Sequence, residues 1–177
     1  RLSDHALGFT DKESFLDSDF EGMKDSEKLL EQTGIIGEKI EIGSFEHISA
    51  SFVGSYIHAG NKIASIVGFS ENFDNASDVG KDLSMQIAAM NPVAIDENGV
   101  SQEIIAKEIE IAKDQLRQEG KPEEMLDNIA KGKLKKFFKE NTLINQQFIK
   151  DSKISISQYI KGFSESVEVT DFSRVGI

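Results

Sequence analysis

The pattern of apolar and polar residues changes several times along this chain. The first part is polar with short apolar groups, and it predicts loops and one short helix over residues 25–32, ended by a Gly34 cap. From residue 39 the stretch "KIEI" alternates charged and apolar side chains, which is typical of a strand with one solvent-exposed face. Residues 51–57 and 62–69 predict two further strands, joined by the turn "HAGN" into an antiparallel hairpin or meander.

Helical spacing follows this hairpin. Four apolar residues lie three or four positions apart and predict a helix with one apolar face, formed by Val79, Leu83, Ile87 and Met90. Pro92 prevents that helix from continuing past Asn91, because proline disfavours helical backbone in the preceding residue.

Two highly charged helices come next, over about residues 101–140. Gly120 suits the end of the first, and Pro122 suits the first turn of the second, where the missing N–H costs nothing. Each helix carries one narrow apolar stripe, formed by Ile105, Ile109, Ala112 and Leu116 and by Leu126, Ala130, Leu134 and Phe137. The pattern predicts an antiparallel helical hairpin that buries its seam and leaves much of its length in solvent.

The last part predicts a short strand near Phe148, a helix from about Ser155 to Gly162 and a final strand over residues 167–175. That final strand could return to the sheet that the helical hairpin interrupts. The predicted fold class is therefore α+β: an antiparallel sheet packed with helices and interrupted by a protruding antiparallel helical hairpin.

Composition narrows the classes of function. The 177 residues include 20 basic and 31 acidic side chains, a net charge of −11 that would repel a phosphate backbone, so we expect no direct nucleic acid partner. There is no cysteine, which excludes disulfides and thiolate chemistry and fits a cytoplasmic protein. The uncharged stretch "IASIVGFS" is far shorter than the roughly 20 apolar residues of a membrane span, so we expect a soluble protein and no membrane partner.

No motif for covalent chemistry is present. The three histidines, His5, His47 and His58, have no second His or acidic residue at a metal-ligand spacing. No serine lies in a G-x-S-x-G motif, and the glycines around His58 match no phosphate-binding loop. We therefore expect no catalytic residues, metal or cofactor, and a binding protein more than an enzyme; from pattern alone, His58 reads as an exposed turn residue.

An ordered series of segments resembles the bacterial elongation factor Ts family. It consists of "IGEKIEI", "GSYIHAGNKIASIVGF", "MQIAAMNP", "KEIEIAKDQLRQEGKPEEM", "IAKGKLKKFFKENTLINQQF" and "DFSRVG". The resemblance implies a guanine-nucleotide exchange factor for elongation factor Tu, which performs no covalent reaction and acts in the cytoplasm. It also implies that residues 1–47 are a remnant of the N-terminal core subdomain and that residues 48–177 are the C-terminal core subdomain, with residues 101–140 as a coiled-coil insertion.

The resemblance also implies which residues contact elongation factor Tu. In the family, the "IG" before the first strand and the "SYxHxG" turn face the partner, and the family's "QPF" plus an aliphatic residue reaches the partner's third domain. Here these positions are Ile36, Gly37, Tyr56, His58, Phe148 and Ile149. Gln147 stands where the family commonly has proline. This hypothesis predicts that His58→Ala or Phe148→Ala, in a full-length version, weakens binding or slows GDP release and leaves the thermal midpoint nearly unchanged.

Two features of the family are not found upstream of Ile36: a three-helix module and a "TDFV" loop that disturbs the partner's magnesium site. The "TDFS" of residues 170–173 lies in the predicted final strand, so we do not assign it that role. The chain begins at Arg1, and we expect a processed chain or a piece of a longer protein that would bind weakly. The alternative hypothesis is a non-catalytic scaffold or oligomerisation module that acts through the helical hairpin, with a homodimer as one form of that association.

Overall fold

The structure is a computed structural model that describes residues 1–177, and it has the α+β architecture predicted from the sequence. Its sheets are all antiparallel. The chain separates into two compact units, Arg1–Ser49 and Ala50–Ile177. No helix combines the length and apolar character required to cross a membrane.

The first unit contains three helices and one very small hairpin. Its elements are α1 (Leu2–Ala6), α2 (Lys12–Asp17), β1 (Asp19–Phe20), β2 (Met23–Lys24) and α3 (Asp25–Ile36). Phe15 is its fully buried aromatic residue, and the rings of His5, Phe9 and Phe45 lie around it. The unit is thus held by a cluster of rings on short elements.

Two predictions for this unit are wrong. The helix does not end at a Gly34 cap: α3 runs to Ile36, and Gly37 is the residue with left-handed backbone, at φ 81°. "KIEI", residues 39–42, is not a strand, because no neighbouring strand pairs with it. The backbone N–H of Ile40 donates instead to Thr33 Oγ1 of α3 at 3.0 Å.

The second unit is built on a three-stranded sheet. Its elements are β3 (Phe52–Ile57), β4 (Ile63–Phe69), α4 (Ala76–Met90), α5 (Gln102–Gln118), α6 (Glu123–Asn141), β5 (Gln147–Phe148), β6 (Asp151–Ser155), α7 (Ile156–Lys161) and β7 (Val169–Gly176), with 3₁₀ turns at Glu97–Gly99 and Leu143–Asn145. The sheet order is β3-β4-β7, so the final strand does return across the helical insertion to pair with β4. β5 and β6 form a separate small hairpin.

Helix α4 packs across β3 and β4 and supplies the centre of the core. Val79, Leu83 and Ile87 are fully buried, as their spacing predicts, and they contact β4 residues such as Val67. Met90, predicted on the same face, is exposed because the helix ends there at Asn91. Close approach of β3 to α4 depends on two glycines, since a Cβ added to Gly54 would lie 2.5 Å from Gly80 Cα.

Helices α5 and α6 form the predicted antiparallel hairpin. Ala112, Leu116, Leu126 and Ala130 bury its seam. Gly120, at φ 76°, ends α5: its N–H donates to Arg117 O, and the next N–H, of Lys121, donates to Leu116 O. Arg117 also bonds Glu123 across the connection at 2.8 Å. Local capping and a narrow seam are therefore sufficient to define this element.

Candidate partner-binding surface

The connection between β3 and β4 is a tight, hydrogen-bonded tip. The N–H of His58 donates to Ile63 O at 2.8 Å, and the N–H of Asn61 donates to His58 O at 2.9 Å. Gly60 and Asn61 both have positive φ, of 88° and 54°, a backbone that glycine and asparagine adopt at the least cost. The sequence "HAGN" therefore fixes this tip locally.

Tyr56 and His58 meet on one side of the tip. The Tyr56 hydroxyl lies 3.0 Å from His58 Nδ1, and the two ring centroids are 5.9 Å apart. His58 is exposed and forms no ion pair, so the tyrosine hydroxyl is what orients its ring. Ile57 points to the opposite face and is 66% exposed. The sequence reasoning missed Ile57, although it stands between two of the residues that it named.

Ile36 and Gly37 end α3 in the first unit. The N–H of Gly37 donates to Thr33 O at 2.9 Å, which closes the last turn. Ile36 is 57% exposed, and the side chains of Ile35 and Leu30 are exposed as well. This helix end therefore presents a small apolar surface, of which the sequence reasoning named only Ile36.

Phe148 and Ile149 lie together but differ in exposure. Phe148, in β5, is 4% exposed and belongs to the core of the second unit. Its ring stacks on that of Tyr159 with centroids 4.2 Å apart. Ile149 follows at the turn between β5 and β6 and is 41% exposed. Of the two, only Ile149 has a side chain that is exposed for contact. The prediction that Phe148→Ala leaves the thermal midpoint unchanged is wrong, because the Phe148 ring is buried in the core.

A polar network lies behind this turn, on α4. Asp82 accepts a hydrogen bond from the Tyr159 hydroxyl at 2.8 Å and pairs with Lys150 Nζ at 2.5 Å. Burial, followed by the hydrogen bond to Asp82 and the negative charge of that carboxylate, raises the pKa of Tyr159 above its usual range. One helical turn further along α4, the buried amide of Gln86 bonds the backbone of the turn itself.

The structure groups the six predicted residues into three places. Tyr56 and His58 share the β3–β4 tip, Phe148 and Ile149 share the β5–β6 hairpin, and the pair of residues 36 and 37 lies in the other unit. None of these places brings together a nucleophile, a base and an acid, and no group of three or more His, Asp or Glu side chains could hold a metal ion.

Comparison with known proteins identifies the family. A family model described as elongation factor TS matches residues 2–177, which is nearly the whole chain. The chain belongs to the elongation factor Ts family.

Individual elongation factor Ts proteins are similar over most of this chain. That of Christiangramia forsetii is 58% identical over 172 residues, which cover 97% of this chain and 63% of the relative. That of Flavobacterium psychrophilum is 54% identical over 176 residues, 99% of this chain and 64% of the relative. That of Porphyromonas gingivalis is 44% identical over 154 residues, 87% and 56% respectively. The chain thus spans less than two thirds of the length of these elongation factor Ts relatives.

Proposed function

We propose that this chain promotes guanine-nucleotide exchange on elongation factor Tu, by binding the nucleotide-free form of that protein more tightly than the GDP-bound form. No covalent step is needed. Because the two binding equilibria are linked, the factor by which the exchange factor weakens nucleotide binding equals the factor by which the nucleotide weakens exchange-factor binding. The required property is a surface that fits one conformation of the partner and not the other.

The β3–β4 tip is the observation that carries the proposal. It projects Tyr56 and His58 on a backbone closed by hydrogen bonds of 2.8 and 2.9 Å, and the tyrosine hydroxyl orients the imidazole. A rigid tip loses little conformational entropy on binding, so its contacts contribute more fully to affinity. Membership of the elongation factor Ts family supports the choice of elongation factor Tu as the proposed partner. Ile149 and the helix end at Ile36 would supply further apolar contacts.

Nucleotide release tests this proposal directly. Elongation factor Tu loaded with a fluorescent GDP analogue is mixed with the chain, and the release rate is followed over a range of chain concentrations. We expect faster release with the unmodified chain and a rate lowered roughly tenfold by His58→Ala, the loss typical of one good interface contact. The control is His47→Ala, the same substitution at another exposed histidine, which should leave release unchanged.

The outcome distinguishes an error in the assigned contact site from an error in the proposed exchange activity. Equal release rates for His58→Ala and the unmodified chain would reject the tip as a contact. No acceleration by the unmodified chain, nor by a version extended to the full length of its relatives, would reject the exchange function itself. The extended version matters because the chain spans 63% of its relative from Christiangramia forsetii.

A scaffold function through the helical hairpin is the alternative. Ile111 and Met125 are exposed on α5 and α6 and would be available to a second copy or another protein. This hypothesis predicts that deletion of residues 101–140 abolishes the main interaction and that His58→Ala does nothing. The exchange proposal predicts the reverse, so one pair of variants distinguishes them.

The proposed function includes an assignment of the chain to the subdomains of the family. We assign residues 1–47 to a remnant of the family's N-terminal core subdomain and residues 48–177 to its C-terminal core subdomain, with residues 101–140 inserted. An exchange factor for translation would act in the cytoplasm.

A further inference from the structure

Gln86 is the least expected buried side chain of the second unit. It lies on α4, is 0% exposed, and all of its hydrogen bonds reach one segment about 60 residues away in the sequence. A buried amide is costly unless its donors and acceptor are satisfied. For the Gln86 amide, all of the hydrogen-bond partners are groups of residues 146, 147 and 149, which lie at the β5–β6 turn.

The orientation of the Gln86 amide is determined by backbone groups. Its Nε2 donates to Gln147 O at 3.1 Å, and its Oε1 accepts from the Ile149 N–H at 2.9 Å. A carbonyl can only accept and an N–H can only donate, so the amide cannot be reversed. The side chain therefore bridges the two sides of Phe148 and fixes the backbone from residue 147 to residue 149.

This bridge continues to the end of the helical hairpin. Gln86 Nε2 also donates to Gln146 Oε1 at 3.1 Å, and Gln146 Nε2 donates to Glu140 O in the last turn of α6 at 3.1 Å. Gln146 is itself buried. The two amides thus tie α4, the end of α6 and the β5–β6 turn to one another.

Asp82 holds the side chains of the same turn. It lies four residues before Gln86, on the same face of α4, and it bonds Lys150 directly. Its second oxygen bonds the Tyr159 hydroxyl, and the Tyr159 ring stacks on Phe148. Gln86 therefore restrains the backbone of the turn and Asp82 restrains the side chains on either side of Ile149.

We propose that Gln86 and Asp82 are positioning residues for partner binding, which hold the β5–β6 turn in one conformation so that Ile149 is presented to elongation factor Tu. The inference rests on the proposed function. The Gln86 contact uses the backbone carbonyl of residue 147, so it restrains the turn from outside whichever residue type stands there. A turn fixed before binding loses less entropy when the partner docks.

A double-mutant cycle in binding tests this role. The affinity of the chain for nucleotide-free elongation factor Tu is measured for the unmodified chain, Gln86→Met, Ile149→Ala and the double variant. We expect each single change to weaken binding roughly tenfold, and the double variant to bind about as well as either single variant. The matched control is Gln102→Met at the exposed start of α5, which should bind normally.

A second measurement separates positioning from folding. Hydrogen exchange of the Ile149 amide, which donates to Gln86 Oε1, should become faster in Gln86→Met, while amides in β4 stay protected. If Gln86→Met does not fold, Asp82→Asn replaces it in the same cycle, because Asp82 is only partly buried and its asparagine variant keeps the size of the side chain.

The outcomes distinguish the two proposals. Losses that multiply in the double variant, or normal binding by Gln86→Met together with a real loss from Ile149→Ala, would overturn the positioning role and leave the exchange function standing. Absence of binding by the unmodified chain, or normal binding by Ile149→Ala, would overturn the contact on which the positioning role depends.

Discussion

The contact between Gly54 and Gly80 gives the sharpest stability prediction for this protein. A Cβ on Gly54 would lie 2.5 Å from Gly80 Cα, 2.6 Å from its carbonyl carbon and 2.7 Å from its oxygen. Carbon atoms in contact normally lie about 3.5–4.0 Å apart, so Gly54→Ala requires β3 and α4 to separate by roughly 1 Å. All three opposing atoms belong to the backbone and cannot rotate away.

The magnitude follows from two opposing effects. Overpacking a tight core contact costs about 1–3 kcal/mol, and a backbone-to-backbone clash belongs at the upper end of that range. Loss of unfolded-state freedom on replacing glycine by alanine returns up to about 1 kcal/mol. The free energy of unfolding should therefore fall by about 2 kcal/mol, which lowers the thermal midpoint by about 4–8 °C in a chain of this size.

Thermal unfolding followed by circular dichroism checks this value against a matched variant. Gly132→Ala makes the same chemical change in the interior of α6, where nothing lies within 4 Å of the added Cβ. Alanine there should stabilise the helix by about 0.8–1 kcal/mol and raise the midpoint. The signs of the two shifts are opposite, and an unchanged or raised midpoint for Gly54→Ala would show that the reasoning about this contact is incorrect.

Further predictions concern the residues around the β5–β6 turn. Phe148→Ala should lower the free energy of unfolding by about 3–5 kcal/mol, because the ring is buried, whereas Ile149→Ala should change it by no more than about 0.5 kcal/mol. Urea titration of both variants measures the difference, and equal losses would contradict the prediction. Tyr159 has a raised pKa in the folded state, so its contribution to stability is complete below about pH 10, the unfolded value, and is lost as the pH rises through the folded value. Ultraviolet titration of a Tyr56→Phe variant, in which Tyr159 is the remaining tyrosine, should show late ionisation, and Asp82→Asn should shift it to lower pH.

The spacing of apolar residues was sufficient to predict the structure where that structure depends on residues close together in the chain. The helical hairpin could be predicted because its caps at Gly120 and Pro122 and its apolar stripes are local features. The structure of residues 39–42 could not be predicted in this way. Alternation of polar and apolar residues indicates that one face is buried, but it does not supply a neighbouring strand for hydrogen bonding. Ile40 is half-buried as alternation implies, but its N–H bonds a threonine side chain.

The candidate partner-binding surface likewise has one part that the sequence predicts and one part that it does not. The sequence "HAGN" determined the tip on which His58 stands, since positive φ at Gly60 and Asn61 is a preference of those residue types. It did not determine that Phe148 would be buried and Ile149 exposed, because both are apolar and adjacent. That difference arises from Tyr159 of α7, the helix that follows the β5–β6 hairpin, because its ring stacks on Phe148 and not on Ile149.

The sequence alone therefore determined the α+β class, the helical hairpin and the turn that carries His58, because these follow from residue preferences within a few positions. The pairing of β7 with β4 joins strands about 100 residues apart, and the tertiary structure decided it. Only the tertiary structure decided how closely β3 approaches α4 at Gly54 and Gly80, and which backbone groups Gln86 binds. Those contacts join residues far apart in the chain, and they depend on distances of a few tenths of an ångström that no local preference specifies.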